Sequence, residues 1–435
     1  LFHQPAGDVG FAAVLQGGDQ IWDNPTDPRV VAGDFWGLTG TSGYGKRNNY
    51  AAAVEFRVPI FSMLSADISA RYDHYKNVNA GSDSKPTYKI GLEFRPFDTL
   101  LLRANYATAF RAPDMASVFQ GPSGFYNFAT DYYKCEKYEP TTAIQDCTWD
   151  NVQYKGTQEG NAALKSITAK SWGYGAVWSP TDKLTVKADY YDVNVKNEIM
   201  PLSVDGLLRT EAACRLGQLD INSGSCVDAL TRIQRTPEST NQSQSQNISG
   251  ITVGPINIAT ERVKGIVAGL DYKLDAARFG DFTFGAQYNV TLNHYLQQYP
   301  TSPNIDLLRH PEWSWANATA AEFKTIFTGS VTWDIGKWSA TLAGTRYGAS
   351  ANYAAQTQGY GTPNAGTVAP WMVYNGSVTY HVTPDITTQL IVNNIKDSMP
   401  PRDTTWVGWP YYNQYNYNPY GRILWLDLNI HFGGK

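Results

Sequence analysis

The 435-residue chain contains no run of 18 apolar residues, so no helix of it crosses a membrane. It also lacks any block of Lys and Arg. With 35 basic and 39 acidic residues, a formal net charge of −4 and only 17% charged positions, it offers no basic face, and no nucleic-acid partner is expected. Cysteine is scarce at 4 residues, without CxxC spacing or a neighbouring histidine, which removes zinc and thiol redox chemistry. The 6 histidines are scattered without metal or triad spacing. No GxSxG, HExxH, P-loop or Rossmann pattern occurs, so we expect no catalytic residue, metal or cofactor. No signal peptide is present and the chain opens at Leu1, which reads as a mature or truncated product.

Aromatic residues, by contrast, make up 13% of the chain, and its mean hydropathy is nevertheless −0.37. Strands of a membrane barrel combine these properties, because one face is apolar and the other polar. The periodicity agrees. Phe282, Phe284, Ala286, Tyr288, Val290 and Leu292 alternate with Thr283, Gly285, Gln287, Asn289, Thr291 and Asn293. Leu64–Asp73, Trp338–Thr345 and Leu424–Phe432 repeat every second residue in the same way.

About 14 segments carry this pattern, near 9–21, 48–58, 64–76, 87–95, 99–109, 169–178, 184–199, 260–274, 282–297, 323–334, 338–353, 369–382, 386–397 and 421–432. Most are about as long as the 9–11 residues that cross a bilayer, and longer than globular strands. Their connections alternate. Short turns fall at Pro59–Met63, Pro96–Asp98, Ser179–Lys183, Asp275–Asp281, Ile335–Lys337 and Thr383–Asp385. Long loops fall at 22–47, 77–86, 110–168, 200–259, 298–322, 354–368 and 398–420, the asymmetry of periplasmic turns and extracellular loops.

Cys135/Cys147 and Cys214/Cys226 lie in two of the long loops, which implies two disulfides in an oxidising compartment; the alternative is four free thiols. Phe94, Trp178, Trp333 and Trp338 flank short turns on the apolar face, either as an interfacial girdle or as ordinary strand aromatics. Asp67, Arg71, Arg103, Asn105, Lys187 and Asp189 face the lumen.

Three stretches resemble TonB-dependent outer-membrane receptors. LLLRANYATAFRAPDMASVF (Leu100–Phe119) resembles the strand that ends in an aromatic-Arg-Ala-Pro turn, here Phe110, Arg111, Ala112 and Pro113. Gly160–Ile199 looks like a hairpin of that family, and Gln389–Asp403 followed by Gly421–Phe432 like its last two strands. The resemblance implies an all-β transmembrane antiparallel β-barrel in the bacterial outer membrane. Residues 1–435 would be one barrel domain, the last 14 of 22 strands, without the plug domain that fills such barrels. It further implies uptake of a scarce solute with energy from the TonB complex. Outer-membrane lipids and a surface lipoprotein are among the partners it allows. A passive channel of 14 strands, an even number that could close, is the alternative, and a secreted all-β protein a third.

Two loop stretches suit solute binding. Trp406, Trp409, Tyr411, Tyr412, Tyr415 and Tyr417 are interleaved with Asn and Gln, a pattern that fits stacking on sugar rings with amides for the hydroxyls. Phe125, Tyr126 and Tyr132 form a second set beside a cysteine. The alternative is that these rings pack the loops together. Because Trp406–Tyr420 holds no Lys or Arg, an oligosaccharide is favoured over a ferric siderophore. Pro113 stops strand pairing, and Arg111 is read as a structural donor to loop carbonyls or carboxylates.

Overall fold

A computed structural model describes residues 3–4, 6–35, 41–78, 80–297, 303–314, 321–406 and 408–432. Fourteen long strands form one antiparallel sheet in simple sequential order, each paired with the next. They are β1 (Gly10–Asn24), β2 (Gly43–Phe61), β3 (Leu64–Asn77), β4 (Ser82–Phe97), β5 (Leu100–Arg111), β6 (Ile167–Thr181) and β7 (Leu184–Pro201). β8 (Pro255–Asp275), β9 (Asp281–Gln297), β10 (Thr325–Ile335), β11 (Trp338–Tyr347), β12 (Trp371–Thr383), β13 (Ile386–Asn393) and β14 (Ile423–Ile430) complete it. A two-residue strand, Ile305–Asp306, adds to β9.

Every segment expected from periodicity is a strand, and every expected short turn joins neighbours. The boundaries differ at the outer ends. β2, β4 and β8 begin about five residues earlier than the alternation indicates, at Gly43, Ser82 and Pro255. Beyond the bilayer neither face meets lipid, so a ladder continues there without an apolar face to mark it. β11 and β13 instead stop early, at Tyr347 and Asn393. Asn394 closes β13 with a positive φ of 52° and side-chain bonds to Ser398.

Where a soluble protein has its core, this sheet has its exposed face. Ile68, Leu92, Leu270, Leu342, Leu390 and Leu426 project outward and are exposed. The expected girdle residues Phe94, Trp178 and Trp338 are exposed beside their turns, and Trp333 donates its indole N–H to the Phe279 carbonyl in one of them. Burial is concentrated in the outer loops.

There the structure departs most from the expected open loops. Residues 110–168 and 200–259 fold together into a small domain. Four short strands pair in the order Ile233–Arg235, Ile248–Val253, Val152–Gln158 and Ser123–Ala129. The central pair is parallel and joins one loop to the other. Helices α1 (Tyr132–Tyr138), α2 (Val204–Arg215) and α3 (Gly224–Arg232) cover it. Asp131, Ser203 and Ser223 cap their N-termini by accepting from backbone N–H groups. Leu207, Leu208, Ala212, Ala229 and Ile251 form its apolar centre. Both disulfides are formed as expected, Cys135–Cys147 with Cα atoms 5.9 Å apart and Cys214–Cys226 at 5.7 Å.

Candidate functional site

The lumen wall is built on glycine. Side chains of consecutive strands stand level across the ladder, so a glycine on the middle strand leaves a channel for long side chains from both sides. Arg103 on β5 reaches across Gly175 of β6 to Asp189 on β7, with two bonds of 2.8 and 2.5 Å. Lys187 lies over Gly269 and meets Asp271 at 3.5 Å. Among the charged residues expected to face the lumen, the structure thus joins Arg103 to Asp189 and Arg71 to Asp73.

At the outer end of β1–β5 this wall opens into a cleft of about 450 Å³. Gln20, Arg47, Arg71, Asp73, Arg111 and Asp114 line it. Arg71 holds both oxygens of Asp73 at 2.8 Å, and the Nη2 that reaches Asp73 also donates to Gln16 at 3.1 Å. Arg47 donates twice to Gln20, at 3.1 and 2.7 Å, and once to the Pro113 carbonyl at 2.7 Å, while stacking over the Tyr75 ring. The guanidinium that grips the aromatic-Arg-Ala-Pro turn is therefore that of Arg47. Arg111, expected to serve loop carbonyls or carboxylates, is exposed and forms an ion pair with Asp114 of the loop at 3.6 Å. With 63% of its side chain exposed, its guanidinium also has N–H groups facing solvent.

The last loop is held by its polar residues. Buried Asp403 accepts from the Tyr353 N–H at 2.7 Å and from both the N–H and hydroxyl of Thr405. Asn416 exchanges two hydrogen bonds with the backbone of Ala321. Tyr412 and Tyr417 are buried among Trp371, Phe323 and Tyr347, with Tyr417 edge-on to Trp371 at 5.4 Å. Trp406 packs edge-on against Tyr353. Trp409, Tyr411 and Tyr415 are exposed, and Arg402 stands 4.9 Å over the Tyr411 ring. A cation thus reaches this aromatic set from just before the stretch that lacks one.

The second aromatic set divides the same way. Tyr132 is buried in the loop domain; its hydroxyl donates to Asp205 at 2.5 Å and accepts from Arg209. Burial and then the Asp205 bond push its phenol well above the ordinary value. Phe125 packs over Gly156 and edge-on to Tyr154. Tyr126 alone of the three is exposed, at 71%. Of the nine aromatic candidates, then, Tyr126, Trp409, Tyr411 and Tyr415 present rings to solvent. The others serve packing, because a loop that must hold a shape outside the membrane needs an apolar centre of its own.

Sequence reading missed the residues that order these loops. Arg235, buried, binds Asp131 at 2.7 and 2.8 Å and Glu211 at 2.6 and 2.7 Å, over the ring of Tyr133. Lys134, also buried, donates to the Gln242 carbonyl and Asn247, and burial pulls its amine below the usual lysine range. These contacts span about a hundred positions of sequence, and no local spacing signals them.

Comparison with known proteins gives a consistent answer. The family described as TonB dependent receptor-like, beta-barrel, matches residues 2–395. The siderophore receptor PirA of Acinetobacter baumannii is similar with a TM-score of 0.64 and 13% identity, over 99% of this chain and 53% of its own. A mutant of the ferric enterobactin receptor PfeA of Pseudomonas aeruginosa gives 0.62 and 14%, over 97% and 51%. The iron transporter FrpB of Neisseria meningitidis gives 0.55 and 12%, over 96% and 52%. The chain spans about half the length of these structures, and at such identities the likeness concerns the fold. No curated protein matches the sequence. From the family match and a sequential ladder of strands with exposed apolar outer faces, the chain belongs to the TonB-dependent receptor β-barrels of the bacterial outer membrane.

Proposed function

We propose that this chain is the barrel portion of an energised receptor. It captures a scarce metal chelate of the siderophore type at its outer rim, and import draws on the TonB complex through a plug domain. The observation that carries this reading is the open ladder. Among the described residues, β1 and β14 each pair on one side only, and both are exposed along nearly their whole length. An arc of this kind needs further strands to close, whereas a passive 14-strand pore would pair its first strand with its last. The exposed guanidinium of Arg111, paired at 3.6 Å with an equally exposed Asp114 in a cleft that also holds Arg47, Arg71 and Asp73, offers N–H donors to a ligand with anionic oxygens. The relatives named for siderophore and iron uptake point the same way.

Two measurements test it. The denatured protein extracted from outer membranes should have a mass well above 48.2 kDa; a mass equal to that value favours the passive channel. Cells should accumulate iron from a ferric chelate only while TonB is present, and uptake that persists without TonB overturns the reading.

A second reading rests on Trp409, Tyr411 and Tyr415, whose exposed rings beside Asn and Gln suit an oligosaccharide. Calorimetry with both ligand classes separates them. Binding of neutral oligosaccharide, lost on Trp409→Ala and untouched by Arg111→Ala, would favour the sugar.

A further inference from the structure

We infer that the outward face of β6–β8 carries a binding site for the phosphate groups of an outer-leaflet glycolipid. Strand register places the residues in level rows. Tyr174 on β6 stands beside Tyr190 on β7 and Ile266 on β8, and above them Trp172 stands beside Asp192 and Lys264. The next row is Lys170, Asn194 and Arg262, and the next is Thr168, Lys196 and Thr260. These positions share the parity of exposed Trp172, Tyr174 and Trp178, so they face away from the lumen.

The change from ring to cation is abrupt. Tyr106 lies 4.3 Å from Trp172 and 5.8 Å from Tyr88, and Tyr174 stacks on Tyr190 at 4.9 Å, an aromatic belt of the kind found at headgroup level. Immediately outside it come four cations. They sit about one crossing length, 9–11 residues, beyond the turn that joins Thr181 to Leu184. Asp192 is the one carboxylate in these rows; Arg262 holds both its oxygens, at 2.8 and 2.5 Å, and Lys264 stands at 3.6 Å. Lys170 and Lys196 are exposed and make no ion pair among the described residues. As diagonal neighbours on one face they are about 7–8 Å apart. Asn194 sits between Lys170 and Arg262, its buried Oδ1 without a partner among the described residues.

The surface is also concave there, for a reason written in the sequence. The β4–β5 ladder ends at Lys89 and Ala107. Pro86 has no N–H to continue it, and the Tyr88 N–H turns to the hydroxyl of Thr108. The strands part and leave a cleft of about 260 Å³ whose walls include Thr108, Thr168, Lys170, Asn194 and Lys196. Apolar rings below, a polar cleft, and two uncommitted ammonium groups above match an acyl region, a sugar and its phosphates in that order.

Native mass spectrometry of the detergent-extracted full-length receptor tests this with a bis-phosphorylated lipid A as the probe. Lys170→Gln with Lys196→Gln should weaken its binding roughly thirtyfold, at about fivefold to sixfold for each cation. Lys170→Arg with Lys196→Arg should restore it, and Trp338→Ala, at a distant turn, should leave it unchanged. Unaltered binding by the glutamine variant overturns the site. So does equal binding of dephosphorylated lipid A, because the acyl chains alone then suffice. Inorganic phosphate should compete only weakly; phosphate that binds as well as the lipid would overturn the assignment to a membrane lipid.

Discussion

Arg103 and Asp189 belong to strands that do not pair with each other, yet they form a two-bond ion pair over the bare backbone of Gly175. A Cβ at Gly175 would lie 2.2 Å from the Asp189 Oδ1 and 2.5 Å from the Ala188 carbonyl. Gly175→Val should therefore lower barrel stability by about 1–3 kcal/mol through overpacking. Asp189→Asn, which removes a half-exposed charge, should cost under about 1 kcal/mol. Heat-induced loss of the folded band on electrophoresis ranks the two, and the opposite order would show that the charge, rather than the space, matters.

The loop domain should fail separately from the barrel. Arg235→Met leaves Asp131 and Glu211 buried without their partner, although Arg215 still reaches Glu211 at 2.6 Å. Breaking a buried network on one side costs about 3–5 kcal/mol. Limited proteolysis should then cut within 110–168 and 200–259 while the barrel strands remain protected. A cleavage pattern like that of the unmodified protein would argue against this role for Arg235.

Each disulfide closes a loop of 12 positions. Chain entropy assigns roughly 3 kcal/mol to a closure of that size. Cys214→Ser with Cys226→Ser should therefore loosen α2 against α3, seen as faster amide exchange at Leu208 and Ala229. Exchange unchanged at both sites would mean the apolar centre suffices without the bond.

Alkaline pH provides a further test. Burial raises the phenols of Tyr132 and Tyr154 above the ordinary value of 10. Because the folded pKa is the higher one, the associated stability is complete below pH 10 and falls as pH rises above it. Lys134, lowered by burial, acts in the opposite sense as pH approaches its ordinary 10.5. Tyrosinate absorbance should show late-ionising phenols whose appearance coincides with loop-domain opening. In a Tyr132→Phe variant that opening should move to higher pH.

The sequence determined the barrel wall because lipid on one side and water on the other force a period of two on every crossing strand. Phe282–Asn293 and Leu64–Asp73 could be read for that reason, as could the short turns and the proline that ends the β5 segment. Only the tertiary structure decided what lies outside the bilayer. Arg47 reaching Pro113, Arg235 joining Asp131 to Glu211, and the parallel pairing of Ile251 with Gly156 connect residues far apart in the chain. It also divided the loop aromatics, burying Tyr132, Tyr412 and Tyr417 and exposing Trp409 and Tyr415. No solvent boundary imposes a period on such loops, so their order comes from long-range contacts that appear only when the chain has folded.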